Sequence, residues 1–236
     1  MKKTLPIFRR ELAAYFFSPM AYIVIAVFLM LTGWFFSGDL FLVDDSSLRS
    51  LFGMVPFIFL FFVPAITMRL ISEEKKSGTI ELLVTMPVTD TEIILGKFFA
   101  ALGLLVVAVL FTLPYGLTVI ALGEPDLGMM ISGYVGVVLL GGAYVSIGVF
   151  ASTISRNQVV SFIIAFMIIF VLWMLDKVLL FMPTYLVSLL QFLSIEYHFL
   201  NITRGVIDSR DVLYYVSVIV FLLVLSRLSL ESRKWT

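Results

Sequence analysis

The sequence predicts an all-α fold: a polytopic membrane helix bundle with six transmembrane helices, an amino-terminal interfacial helix and re-entrant helices before the last span. Three observations predict it. Of 236 residues, 61% are hydrophobic and only 14% charged, which leaves too little polar surface to cover a water-soluble domain of this size. The apolar residues gather into runs of about 20, the length that crosses a bilayer at a rise of about 1.5 Å per residue. The basic residues divide unevenly between the segments that join those runs.

Residues 1–18 read as an amphipathic helix. Leu5, Phe8, Leu12, Tyr15 and Phe16 recur at helical spacing, while Lys3, Arg9, Arg10 and Glu11 lie off that stripe. Thr4 is placed to cap the helix, and Pro6 falls in the first turn, where its missing N–H costs nothing. Such a helix lies in the membrane interface. Spans follow at about 19–38, 51–70, 96–122, 128–153, 158–177 and 212–230, making one membrane domain of 1–236. The first run is about twice the length of a cleavable signal core, so it reads as a span.

A seventh apolar run, 178–195, is broken by Pro183, Ser188, Gln191 and Ser194 and stands directly after Asp176 and Lys177. It reads as a re-entrant or interfacial pair within an extracytoplasmic region, 178–211. Charge agrees. With six spans, twelve of the sixteen Lys and Arg residues fall on the side of the termini, which the positive-inside rule makes cytoplasmic.

The formal net charge is zero and cysteine is absent. The first gives no reason to expect a nucleic-acid partner, and the second removes disulfides and thiol chemistry. As drawn, the spans hold no ionisable residue near the bilayer midplane, whereas ion-coupled carriers usually need one. The energy source is therefore expected elsewhere. His198, the single histidine, stands beside Tyr197 and reads as a residue of the interfacial aromatic belt. No zinc-protease helix and no Gly-x-x-x-x-Gly-Lys-Ser/Thr phosphate loop occurs, so the chain is expected to be neither an enzyme nor a holder of cofactors.

The informative segment joins the second and third spans. It runs Arg69-Leu70-Ile71-Ser72-Glu73-Glu74-Lys75-Lys76-Ser77-Gly78-Thr79 and continues Ile80-Glu81-Leu82-Leu83-Val84-Thr85-Met86-Pro87-Val88-Thr89-Asp90. Gly78 and Pro87 bracket a short helical stretch, and Thr89 with Glu92 has the form of a capping box opening the third helix. Ile80, Leu83 and Val84 make an apolar face that Leu82 and Met86 extend, which is odd for a free loop and asks for burial. On charge pattern alone, Glu73, Glu74, Lys75 and Lys76 read as a solvated, mutually compensating cluster.

The stretch Glu73 to Leu83, followed by Pro87 and by Gly96-Lys97, resembles the cytoplasmic loop of ABC-2 type transporter permeases. The stretches from Arg204 to Asp211 and from Leu230 to Trp235 are similar to the branch containing the Gld gliding-motility and NosY permeases. The resemblance implies a permease subunit of an inner-membrane ABC transporter with both termini cytoplasmic. It would couple ATP hydrolysis by a separate cytoplasmic ABC ATPase, which binds the ATP and Mg, to export or extraction of a substrate. A second permease, identical or not, and membrane lipid are the other implied partners, with room for an extracytoplasmic one. The alternative is a non-transporting anchor that transmits ATPase-driven motion to a cell-envelope machine. The implied coupling loop is 71–92. Its helix comprises Gly78, Thr79, Ile80, Glu81, Leu82, Leu83 and Met86, is closed by Pro87 and flanked by Glu73 and Glu74, and a lesser contact falls to Arg156.

Overall fold

The computed structural model of the chain describes residues 4–38, 40, 47–79, 88–123, 125–178 and 184–231. Helix α1 is Thr4–Phe17, α2 Pro19–Gly38, α3 Arg49–Thr67 and α4 Ser72–Ser77. Next come α5, Asp90–Leu110, α6, Leu113–Leu122, α7, Leu127–Ile154, and α8, Gln158–Val178. The short α9, Thr184–Leu193, and α10, Ile195–Ile202, precede α11, Ser209–Glu231. Among the described residues, six segments are long and apolar enough to cross a membrane: α2, α3 with α4, α5 with α6, α7, α8 and α11. The protein is an all-helical polytopic bundle.

Local chemistry sets the helix ends. The Thr89 hydroxyl accepts from the Glu92 N–H at 3.3 Å while the Glu92 carboxylate accepts from the Thr89 N–H at 3.2 Å, the reciprocal box that starts α5. Asp126 Oδ1 accepts from the N–H groups of Gly128 and Met129 and starts α7. The third span breaks after Leu110: the Thr112 hydroxyl donates back to the Val109 carbonyl, and Pro114 sits in the first turn of α6. Thr4 does not cap α1. It already lies within the helix, and its buried hydroxyl has no partner.

Helix α7 is the centre of the bundle, packed by α3, α5, α8 and α11. Its glycines allow the approach. A Cβ on Gly133 would lie 2.1 Å from the Phe52 ring, one on Gly141 2.7 Å from Leu105, and one on Gly148 2.0 Å from Thr67 Oγ1. In lipid, where apolar surface gives helices little drive to associate, such close van der Waals seams hold them together. Helix α1 packs along α5. Ile7, outside the apolar stripe read from the sequence, is the residue seated against Gly96, and Leu5 is exposed.

Before α11 the chain makes two short helices rather than a seventh span. The break between them leaves carbonyls without a helical partner, and side chains satisfy them. His198 Nε2 donates to the Phe192 carbonyl at 3.1 Å, Tyr214 to Leu193 at 2.7 Å and Tyr215 to Ile195 at 2.8 Å. His198 is thus buried, stacked on Tyr214 with Nδ1 2.6 Å from Asp211 Oδ1, rather than a member of an interfacial belt. Its pairing partner lies thirteen residues on, in another helix, beyond the reach of the adjacent Tyr197 as a signal.

Candidate functional site

On the face of the bundle that carries α1 and α4, Lys97 is the organising residue. Its side chain is only 1% exposed, an unusual burial for an ammonium, and it lies 2.8 Å from Glu74 Oε1 and 3.4 Å from Glu11 Oε1. Arg10 completes the network, 2.8 Å from Glu11 and 3.9 Å from Glu74. Three elements therefore meet at one charge: α1 through Glu11, α4 through Glu74 and α5 through Lys97.

Helix α4 is anchored from its other side as well. Ser152 Oγ on α7 accepts from the backbone N–H groups of Ile71 and Ser72 at 2.9 and 3.0 Å, and Lys75 Nζ donates to the Thr153 carbonyl. Tyr15, fully buried, donates its hydroxyl to the Ile66 carbonyl at the end of α3. Arg69 lies over the Tyr15 ring at 5.3 Å from its centroid. Between these groups opens a crevice of about 390 Å³ walled by Glu11, Tyr15, Arg69, Glu73, Glu74 and Lys97.

The residues singled out in the sequence divide. Glu74 is the inward-facing member of its pair and Glu73 the exposed one. Gly78 ends α4 in the left-handed region at φ 72°, a conformation that costs glycine little and other residues more. Thr79 is exposed, with its hydroxyl 2.8 Å from that of Ser77. Arg156 is exposed in the turn between α7 and α8, both of which contact α4. Ile80, Glu81, Leu82, Leu83, Met86 and Pro87 lie outside the described residues. The charge reading of Glu73 to Lys76 as freely solvated fails for Glu74 and Lys75, each of which has a partner in another helix.

In the sequence Glu11 and Tyr15 read only as parts of the amphipathic pattern of residues 1–18, Lys97 only as part of the Gly96-Lys97 motif, and Ser152 carries no signal. A lysine one residue before a long apolar run carries a signal, since burial at that depth demands a counter-ion. Its partners are 23 and 86 positions away and have no local signature.

This geometry defines a polytopic helical membrane protein with six candidate spans among the described residues, α4 following the second of them and the α9–α10 pair preceding the sixth. The ABC-2 family transporter protein model matches residues 43–230, most of the chain. The chain belongs to that family and is a membrane permease of the ABC transporter class, a class that associates with ABC ATPase subunits. A comparison with curated proteins finds no match.

Proposed function

We propose that the whole chain works as one permease subunit that converts nucleotide-driven motion of a cytoplasmic ABC ATPase into movement of a substrate across or out of the inner membrane. Both termini, α1 and α4 face the cytoplasm in this reading, as the twelve basic residues on that side favour. ATP and Mg belong to the ATPase. A second permease completes the assembly, and the similarity of 204–211 and 230–235 favours the Gld and NosY branch.

The observation that carries the reading is the anchoring of α4, the helix that leads into the segment after Gly78. That segment is apolar, too short to span, and begins at a left-handed glycine directly after a helix tied to α1, α5 and α7. A push on residues 79–87 is transmitted through Glu74 and Lys97 to the third span and through Ser152 to the fourth. Glu73, exposed, stands at the rim of the contact.

Leu82→Ala combined with Leu83→Ala tests it. Truncating buried apolar anchors at such contacts commonly costs about 2 kcal/mol or more, roughly thirtyfold in affinity. The ATPase should then fail to co-purify, or hydrolyse without transport, while membrane insertion persists. Parental assembly, hydrolysis and transport in the double variant would overturn the assignment.

A further inference from the structure

The bundle holds a second buried ionic cluster, on the face opposite α4, at the apex between α9 and α10. A Cβ on Gly136 would lie 3.1 Å from Ile202 and 3.3 Å from Phe199, and one on Gly128 3.8 Å from the Gly205 carbonyl, so α10 runs antiparallel to α7. The apex at Ser194 is five residues before Phe199. At about 1.5 Å per residue it sits roughly 20 Å down α7, about half that helix's length. The apex carries an ionisable group there, within reach of Lys177 near the outer end of α8.

That group is Glu196, 4% exposed. Its Oε1 takes the Lys177 ammonium at 2.9 Å, and its Oε2 is buried with no partner. Tyr144 on α7, also fully buried, has a hydroxyl without a partner. Lys177 is shared with Asp176, 3.8 Å away, and its side chain is 47% exposed, which gives the cluster a connection to water. Among the described residues, the other titratable groups facing the apex are Asp211, Tyr214 and Tyr215 of α11 and His198 of α10 itself, all engaged in the pairings described above.

We infer that Glu196 is a reversible proton-binding site whose occupancy holds the α9–α10 apex seated in the membrane. The step is a simple protonation: a proton from bulk water adds to Oε2, and Lys177 keeps Asp176 as counter-ion. In the seated state the carboxylate form leaves an unsatisfied oxygen in a low-dielectric site, and the acid form removes that charge. When the apex withdraws toward water, the carboxylate is hydrated and the preference disappears. Proton binding therefore favours the seated state, by linkage. The site is independent of the ATPase-coupling reading and stands or falls without it.

Ser194 is buried at the apex and Val206 is exposed in the neighbouring loop, and the chain contains no native cysteine. Single-cysteine proteins, Ser194→Cys and Val206→Cys, are labelled in lipid nanodiscs with a methanethiosulfonate reagent. The rates are compared over about pH 5–8, below the ordinary thiol pKa of about 8.5, where both thiols are mostly protonated and the ratio removes the pH dependence they share. The ratio should rise about tenfold or more from acid to alkaline pH, and Glu196→Gln should hold it at the acid value throughout. Lys177→Met, which removes the cation that favours the carboxylate, should move the rise to higher pH. A ratio independent of pH in the parent, the same rise in Glu196→Gln, or a shift to lower pH in Lys177→Met would each overturn the inference.

Discussion

Replacing Lys97 by Met removes the one charge shared by α1, α4 and α5. At an effective dielectric of about 20, its attractions to Glu74 at 2.8 Å and Glu11 at 3.4 Å are gross terms of about 6 and 5 kcal/mol. Desolvating the ammonium takes back most of that. The carboxylates, with side-chain exposures of 18% and 16%, keep some water of their own. The expected net loss is at the low end for breaking a buried pair, about 3 kcal/mol. It should appear as a roughly hundredfold loss of amide-exchange protection across 72–77, read by hydrogen exchange in nanodiscs, with weaker coupling of ATPase activity to transport. Adding Glu74→Gln to Lys97→Met should recover most of the protection, because the α4 carboxylate, left with only Arg10 at 3.9 Å, is then neutral while Glu11 keeps Arg10 at 2.8 Å. Unchanged protection in Lys97→Met would refute the claim that this charge ties the three helices together.

Two further predictions test the fold. Single cysteines at Ser46 and Asp208 should react with an impermeant reagent in intact cells, and one at Ser232 only after permeabilisation; external labelling at Ser232 would exclude cytoplasmic termini. Gly148→Ala should force α3 and α7 apart at Thr67, costing about 1–3 kcal/mol and lowering the melting temperature in detergent by roughly 5 °C, whereas Gly53→Ala, whose new Cβ meets nothing within 4 Å, should leave it unchanged.

Most of the architecture was legible because lipid leaves so few solutions. Runs of about 20 apolar residues must become helices that satisfy their own backbone. The Thr89 and Glu92 box and the Gly78 terminus are local devices, readable at a spacing of three residues or at a single residue. What escaped reading was long-range. Ile7 finds Gly96, Lys97 finds Glu11, and His198 finds Asp211 only once helices distant in sequence have packed. The depth of Glu196 was hidden for a related reason. A span count sees a polar-interrupted run as a loop, and only the antiparallel course of α10 against α7 reveals how far the hairpin descends.

The central claim is that the segment following Gly78 seats on the ATPase. Thr79→Cys, carrying a maleimide photo-crosslinker, places the probe at the start of that segment on an exposed residue. In nanodiscs with the purified ATPase, illumination should join the two proteins, and mass spectrometry should map the link to one groove of the ATPase. The same probe at Val206, on the opposite face of the bundle, should give no link. ATPase that binds the permease but crosslinks only from Val206, or from neither position, would contradict the account.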